Sequence, residues 1–215
     1  CVFIDQLAKY SLIENNLVSW QTPEVEFNFK HFVPKLLVID EPEGYTGPNA
    51  DSHIIPSIHF KAFANIIAES ISSEPIFITE KTVKALVTGD LFLVLGARNF
   101  HQKLKDLGFK LYTEVFDYSF DSKDTPTRVK GIVDNLLNLP NDLDELTRLK
   151  KSLYEKRMYN HKLAIQIARE CKYIEPRTLE LLKDYSSIFP KGQATDTTLD
   201  YLKLWDPNAF LRDVI

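Results

Sequence analysis

The sequence has little cysteine, methionine or glycine: of 215 residues, 2 are Cys, 1 is Met and 7 are Gly. Cys1 and Cys171 are far apart and neither belongs to a Cys-x-x-Cys pair, which excludes a disulfide framework. The longest apolar run, Leu91-Phe-Leu-Val-Leu95, is far short of the roughly 20 residues that cross a bilayer. Nor is there a surplus of positive charge. Lys and Arg number 26 against 30 Asp and Glu, a net charge of −4, so no nucleic-acid partner is expected. With no transmembrane segment and no signal-peptide pattern, the expected location is cytoplasmic. Repeats of fixed period and low-complexity tracts are lacking too.

Several motifs are missing. There is no Gly-x-Gly-x-x-Gly, no Gly-x4-Gly-Lys-Ser/Thr, no Gly-x-Ser-x-Gly and no His-Glu-x-x-His. The five histidines (His31, His53, His59, His101 and His161) have no metal-ligand spacing, so no metal site is expected. Asp142-Leu-Asp144 opens an amphipathic helix, where acidic residues suit the helix dipole better than they suggest a metal clamp.

What is present is ordinary globular composition, 44% hydrophobic, 26% charged and 12% aromatic. The length suits one domain of about 100–200 residues with an appendage, or two small domains. The chain opens at Cys1 and reads as structured from Val2, so a piece of a longer protein is expected. Residues 2–17 have roughly helical apolar spacing. Residues 36–39 read as a short strand, and the Pro-, Gly- and Asn-rich stretch 41–57 reads as a long loop.

From residue 60 the rhythm becomes strand, helix, strand, helix, strand. Ala64-Asn-Ile-Ile-Ala68 and Leu91–Leu95 are near-continuously apolar, as parallel strands covered on both faces are. Thr79 and Gly89 bracket one helix. Asn99 and Gly108 bracket a second, and residues 109–112 are expected to return as a third strand. This predicts an α/β fold with a Rossmann-like, right-handed parallel sheet. Helices follow: one with Thr125 as cap, Pro126 as its first residue and a stripe at Val129, Ile132, Val133, Leu136 and Leu137; one over 143–153; and one over 159–171. Beyond lie a short helix near 179–185, a turn at 189–192 and an aromatic tail with Tyr201, Trp205 and Phe210, which suits packing on the helices better than a sugar-stacking platform. The predicted organisation is an N-terminal region over 1–58, a Rossmann-like domain over 59–172 and a helical extension over 173–215.

Residues 69–82 carry the chemistry. They leave the carboxyl end of a parallel strand and open a helix, the place where open α/β sheets bind ligands. Free N–H groups at a helix start seat a phosphate, and Lys81 adds a full charge. Glu80 can accept from ribose hydroxyls. The pair suits a nucleoside diphosphate better than a lone phosphate. The same residues also read plainly as a cap, a dipole-friendly acid and a solvated lysine.

The stretch Ile76-Phe-Ile-Thr-Glu-Lys-Thr-Val-Lys-Ala-Leu-Val-Thr-Gly-Asp-Leu-Phe-Leu-Val-Leu-Gly96 resembles the donor-binding motif of α1,3-fucosyltransferase-like enzymes. Residues 60–160 are still more similar to a group of phage and bacterial glycosyltransferases. The shared elements are Glu69-Ser70, Thr79-Glu80-Lys81-Thr82, Leu95-Gly96, Leu107-Gly108-Phe109, Asp117-Tyr-Ser-Phe-Asp121, Arg128 and Asn160-His161. The resemblance implies the C-terminal, sugar-nucleotide-binding half of a GT-B transferase that inverts at the sugar and needs no bound metal. It places Glu80 on the ribose and Lys81 on the diphosphate, with Glu69, Ser70 and Thr79 lining the cleft. A further basic residue usually precedes this motif; here Lys61, Lys84 or Arg98 would take its place. Asp117 and Asp121 either face the cleft or cap the next helix. The resemblance further implies a carbohydrate or other hydroxyl acceptor, and no cofactor beyond the nucleotide-sugar donor. The catalytic base belongs to the other half and is unassigned. The alternative expectation is a non-catalytic carbohydrate- or partner-binding module, of phage type.

Overall fold

In the computed structural model, residues 2–14, 16–18, 28–34 and 62–170 are described. The expectations for 36–39, 41–57, 179–185, 189–192, Lys61 and the aromatic tail lie outside them. The chain divides into two units, Cys1–Gln166 and Ile167–Ile215. The first is α/β. Its described elements are α1 (Val2–Lys9), β1 (Ala64–Ala68), α2 (Glu80–Thr88), β2 (Leu91–Leu95), α3 (Phe100–Asp106), α4 (Thr125–Leu137), α5 (Leu143–Ser152) and α6 (Tyr154–Glu170), the last running into the second unit.

β1 and β2 pair in parallel, with Ala64 opposite Leu91 and Ala68 opposite Leu95. Every residue of β2 is buried, as its unbroken apolar run requires. The crossover between them is α2, closed at its end by Gly89 at φ +63. The Gly89 N–H bonds Leu86 O (3.2 Å) and the Asp90 N–H bonds Ala85 O (3.1 Å), the paired closure of a Schellman turn. Gly108 at φ +96 closes α3 in the same way, through Leu104 and Lys105.

The third strand expected at 109–112 does not form among the described residues. Asn160, fully buried on α6, takes the place of a neighbouring strand: its side chain accepts from the Lys110 N–H (2.8 Å) and donates to Lys110 O (2.8 Å). With Lys110 satisfied in this way, the Tyr112 N–H donating to the Tyr118 hydroxyl (3.2 Å) and Leu111 O accepting from Lys156 (3.0 Å), the segment needs no ladder partner. Tyr112 then turns inward, edge-on to Phe92 at 5.5 Å, and its hydroxyl accepts from Asn160 (3.1 Å). On β2 itself, the Val94 N–H goes to His101 Nε2 (3.0 Å).

The helical region follows its apolar stripes with three corrections. Asp124, not Thr125, caps α4, accepting from the Thr127 N–H, and Pro126 stands second in the helix. Of the expected stripe, Val129, Ile132 and Val133 are buried, whereas Leu137 is exposed. Val133 packs toward α1, where it forms a buried cluster with Ile4, Leu7, Ile13 and Phe32, and Leu136 is partly buried against it. Asp142 caps α5 through the Glu145 N–H, as its acidic start suggests. α6 begins at Tyr154, earlier than the apolar spacing indicates, because 154–158 are good helix formers without an apolar stripe.

Candidate functional site

The carboxyl ends of β1 and β2 meet the first turn of α2. Glu69, the residue after β1, donates its N–H to Leu95 O (3.1 Å), which continues the pairing to the edge of the sheet. Its carboxylate is buried and turns to α2. It accepts from the Thr79 N–H (3.1 Å), the Thr79 hydroxyl and the Thr82 hydroxyl (2.5 Å). One side chain therefore ties the strand end to the helix start across the 69–79 loop. Glu69 and Thr79 are the foundation of this edge and do not project from it. Thr79 also caps α2 by accepting from the Lys81 N–H (3.3 Å).

Above that foundation Lys81 donates to the Ser70 hydroxyl (3.1 Å) and lies 3.4 Å from the Glu80 carboxylate. Both charged side chains are a little under half exposed. Burial raises the Glu80 pKa, but its own amide and the charges of Lys81 and Lys84 prevail and hold the carboxyl below its ordinary value. Glu80 is thus an ionised acceptor beside a cation, both on the positive end of a helix. Lys84 stands one turn further along α2. Arg98, exposed after β2, shares no hydrogen bond or ion pair with this group. Its charge acts on Asp124 and Arg128 instead.

The structure thus brings Glu69, Ser70, Thr79, Glu80 and Lys81 together and sets Arg98 apart. Asp121 caps α3, the preceding helix: its carboxylate accepts from the His101 N–H (3.1 Å), His101 Nδ1 (2.8 Å) and the Gln102 N–H (3.0 Å). Asn99 stands at the helix start at φ +62 but makes no side-chain cap bond. The two bonds of His101 fix its tautomer, Nδ1–H toward Asp121 and Nε2 accepting from Val94. Neither ring nitrogen is free to act as a base. Asp117 accepts from the Ser119 N–H and hydroxyl and forms a local turn. Asn160 serves the 109–112 segment, and His161 bonds Val87 O.

Sequence reasoning assigned no role to Arg128, whose guanidinium is buried at this same edge. It also missed the buried group at the opposite end of the sheet. There Asp90 accepts from Asn65 (3.0 Å) and Thr88 (2.9 Å), with Lys150 at 3.3 Å and Arg157 at 3.8 Å. Two open concavities lie elsewhere. One of about 450 Å³ is lined by residues that include Lys110, Lys156 and Tyr159, and one of about 250 Å³ by residues that include Asp117, Phe120 and Lys130. No group of three or more His, Cys, Asp or Glu side chains among the described residues is arranged to hold a metal ion. No described helix is long and apolar enough to cross a membrane. Set against protein families, curated proteins and solved structures, the chain matches none.

Proposed function

We propose that this chain is the donor-binding part of a glycosyltransferase that takes a nucleotide-diphosphate sugar, with β1 and β2 belonging to a Rossmann-like sheet of the GT-B type. The observation that carries the reading is the side-by-side placement of ionised Glu80 and Lys81 on the first turn of α2, with Lys81 tethered to Ser70 at the carboxyl edge of a parallel strand pair. Glu80 would accept from the two ribose hydroxyls. Lys81 and the positive end of the α2 dipole would meet the diphosphate, whose negative charge grows as the sugar departs. An acceptor hydroxyl attacks the anomeric carbon, the bond to the diphosphate oxygen breaks, and the hydroxyl proton passes to a base outside the residues assigned here.

A second reading, a carbohydrate- or partner-binding module without turnover, is favoured by the full engagement of Glu69, Asp121 and His101 in structural bonds. A titration of the isotope-labelled chain with GDP and with UDP tests the donor-binding reading by amide chemical shifts. Shifts centred on Ser70 and on residues 79–84 are expected. Shifts confined to the two concavities described above, or none at all, would contradict it. Release of free nucleotide on repeated turnover separates the enzyme from the binding module.

A further inference from the structure

We propose that Arg128 is the positioning residue of the carboxyl-edge site, holding the 69–79 loop over the sheet in the form that a nucleoside diphosphate meets. Arg128 stands on the first turn of α4 and is only 4% exposed. Its Nη1 donates to Lys123 O (2.7 Å). Its Nη2 reaches Ser72 O (2.9 Å), Gly96 O (3.1 Å) and the Thr125 hydroxyl (3.1 Å). Nε is buried without a partner. Arg128 makes no ion pair among the described residues. Asp121 and Asp124 favour its charge from beyond ion-pair distance, while Arg98 opposes it. Their carboxylates are engaged elsewhere, with His101 and Gln102 and with Thr127. A buried cation is costly unless its donors are satisfied, and here the donors go almost wholly to backbone carbonyls.

Those carbonyls come from three places: the loop after β1, the end of β2 and the entry to α4. Glu69 ties the two ends of the loop. Between those ends, among the described contacts, residues 71–78 make one hydrogen bond, in which Ser72 O accepts from Arg128 Nη2. Ser70, which Lys81 reaches, stands two residues before that anchor. Only a planar fork of several N–H groups can serve these acceptors together, so a lysine is a poor substitute. The role deepens the donor-binding reading and rests on it for the nucleotide alone.

The test is made on the full chain with Arg128→Lys and with the milder Thr125→Val, which keeps the cation and removes one acceptor. Backbone order parameters of 71–78 are expected near 0.85 in the parent and below about 0.6 in Arg128→Lys, with α1 and β2 unchanged. A smaller drop is expected in Thr125→Val, which remains measurable should Arg128→Lys fail to fold. Affinity for GDP or UDP, whichever the parent binds, is expected to weaken about tenfold in Arg128→Lys because preorganisation is lost. Unchanged order parameters in a folded variant, or a drop spread evenly over the whole unit, would overturn the role of Arg128. A parent chain that binds neither nucleotide would overturn the donor-binding reading and leave the order-parameter result standing.

Discussion

Asp121 serves a helix start and a histidine with a single carboxylate. Burial opposes its ionisation, but the hydrogen bonds it accepts from the His101 ring and from the amides of Gln102 and His101 outweigh that and hold its pKa below the ordinary value. A group whose folded pKa lies below the unfolded value of about 3.9 contributes stability above that value, and loses it as pH falls through the folded pKa. Asp121→Asn is therefore expected to cost about 1–3 kcal/mol at neutral pH, since two α3 amides and His101 lose their charged acceptor. The difference from the parent should close below about pH 4. Urea titrations across that range check it, and a difference that persists unchanged at low pH would contradict the account. None of this was legible in the sequence. His101 was one of five scattered histidines, and its partner lies twenty positions away. Glu69 was legible as a resident of the edge, but not as the carboxylate that ties Thr79 and Thr82, because a resemblance in order carries no direction for a side chain.

At the scale of elements, strand and helix identity was most legible where the local pattern had no competitor. The apolar runs of β1 and β2 have one stable placement, and Gly89 supplies a left-handed residue where the crossover helix must stop. Residues 109–112 carry a strand-like pattern as well, yet Asn160 satisfies the backbone of Lys110 from fifty positions away. A side chain that imitates a strand leaves no periodic signal.

The buried group at the far end of the sheet makes the element scale testable. Burial pushes the Asp90 carboxyl up, against the pull of Lys150 and Arg157, and pushes the Lys150 ammonium down, against Asp90. For both partners desolvation exceeds attraction, so the ion pair is a poor source of stability although breaking it is costly. Lys150→Met is expected to destabilise by about 3–5 kcal/mol, since it leaves the Asp90 carboxylate buried with its neutral partners Asn65 and Thr88 and only the longer charged contact to Arg157. Adding Asp90→Asn should restore part of that loss. Denaturant midpoints of the two variants decide it, and a double variant less stable than Lys150→Met would contradict the prediction.

At the scale of the molecule, the described first unit is a small parallel pair with helices, organised so that its two sheet ends differ. One end buries charges against each other around Asp90. The other keeps Glu80 and Lys81 partly open above a foundation of Glu69, Thr79 and Thr82. That asymmetry is what the donor-binding reading requires of the chain, and calorimetric titration of the intact protein with GDP and UDP tests it most directly. The account predicts saturable binding of at least one nucleotide at one site, weakened tenfold or more by Glu80→Ala and by Lys81→Ala. Binding of neither nucleotide, or affinity unchanged in both variants, would contradict it.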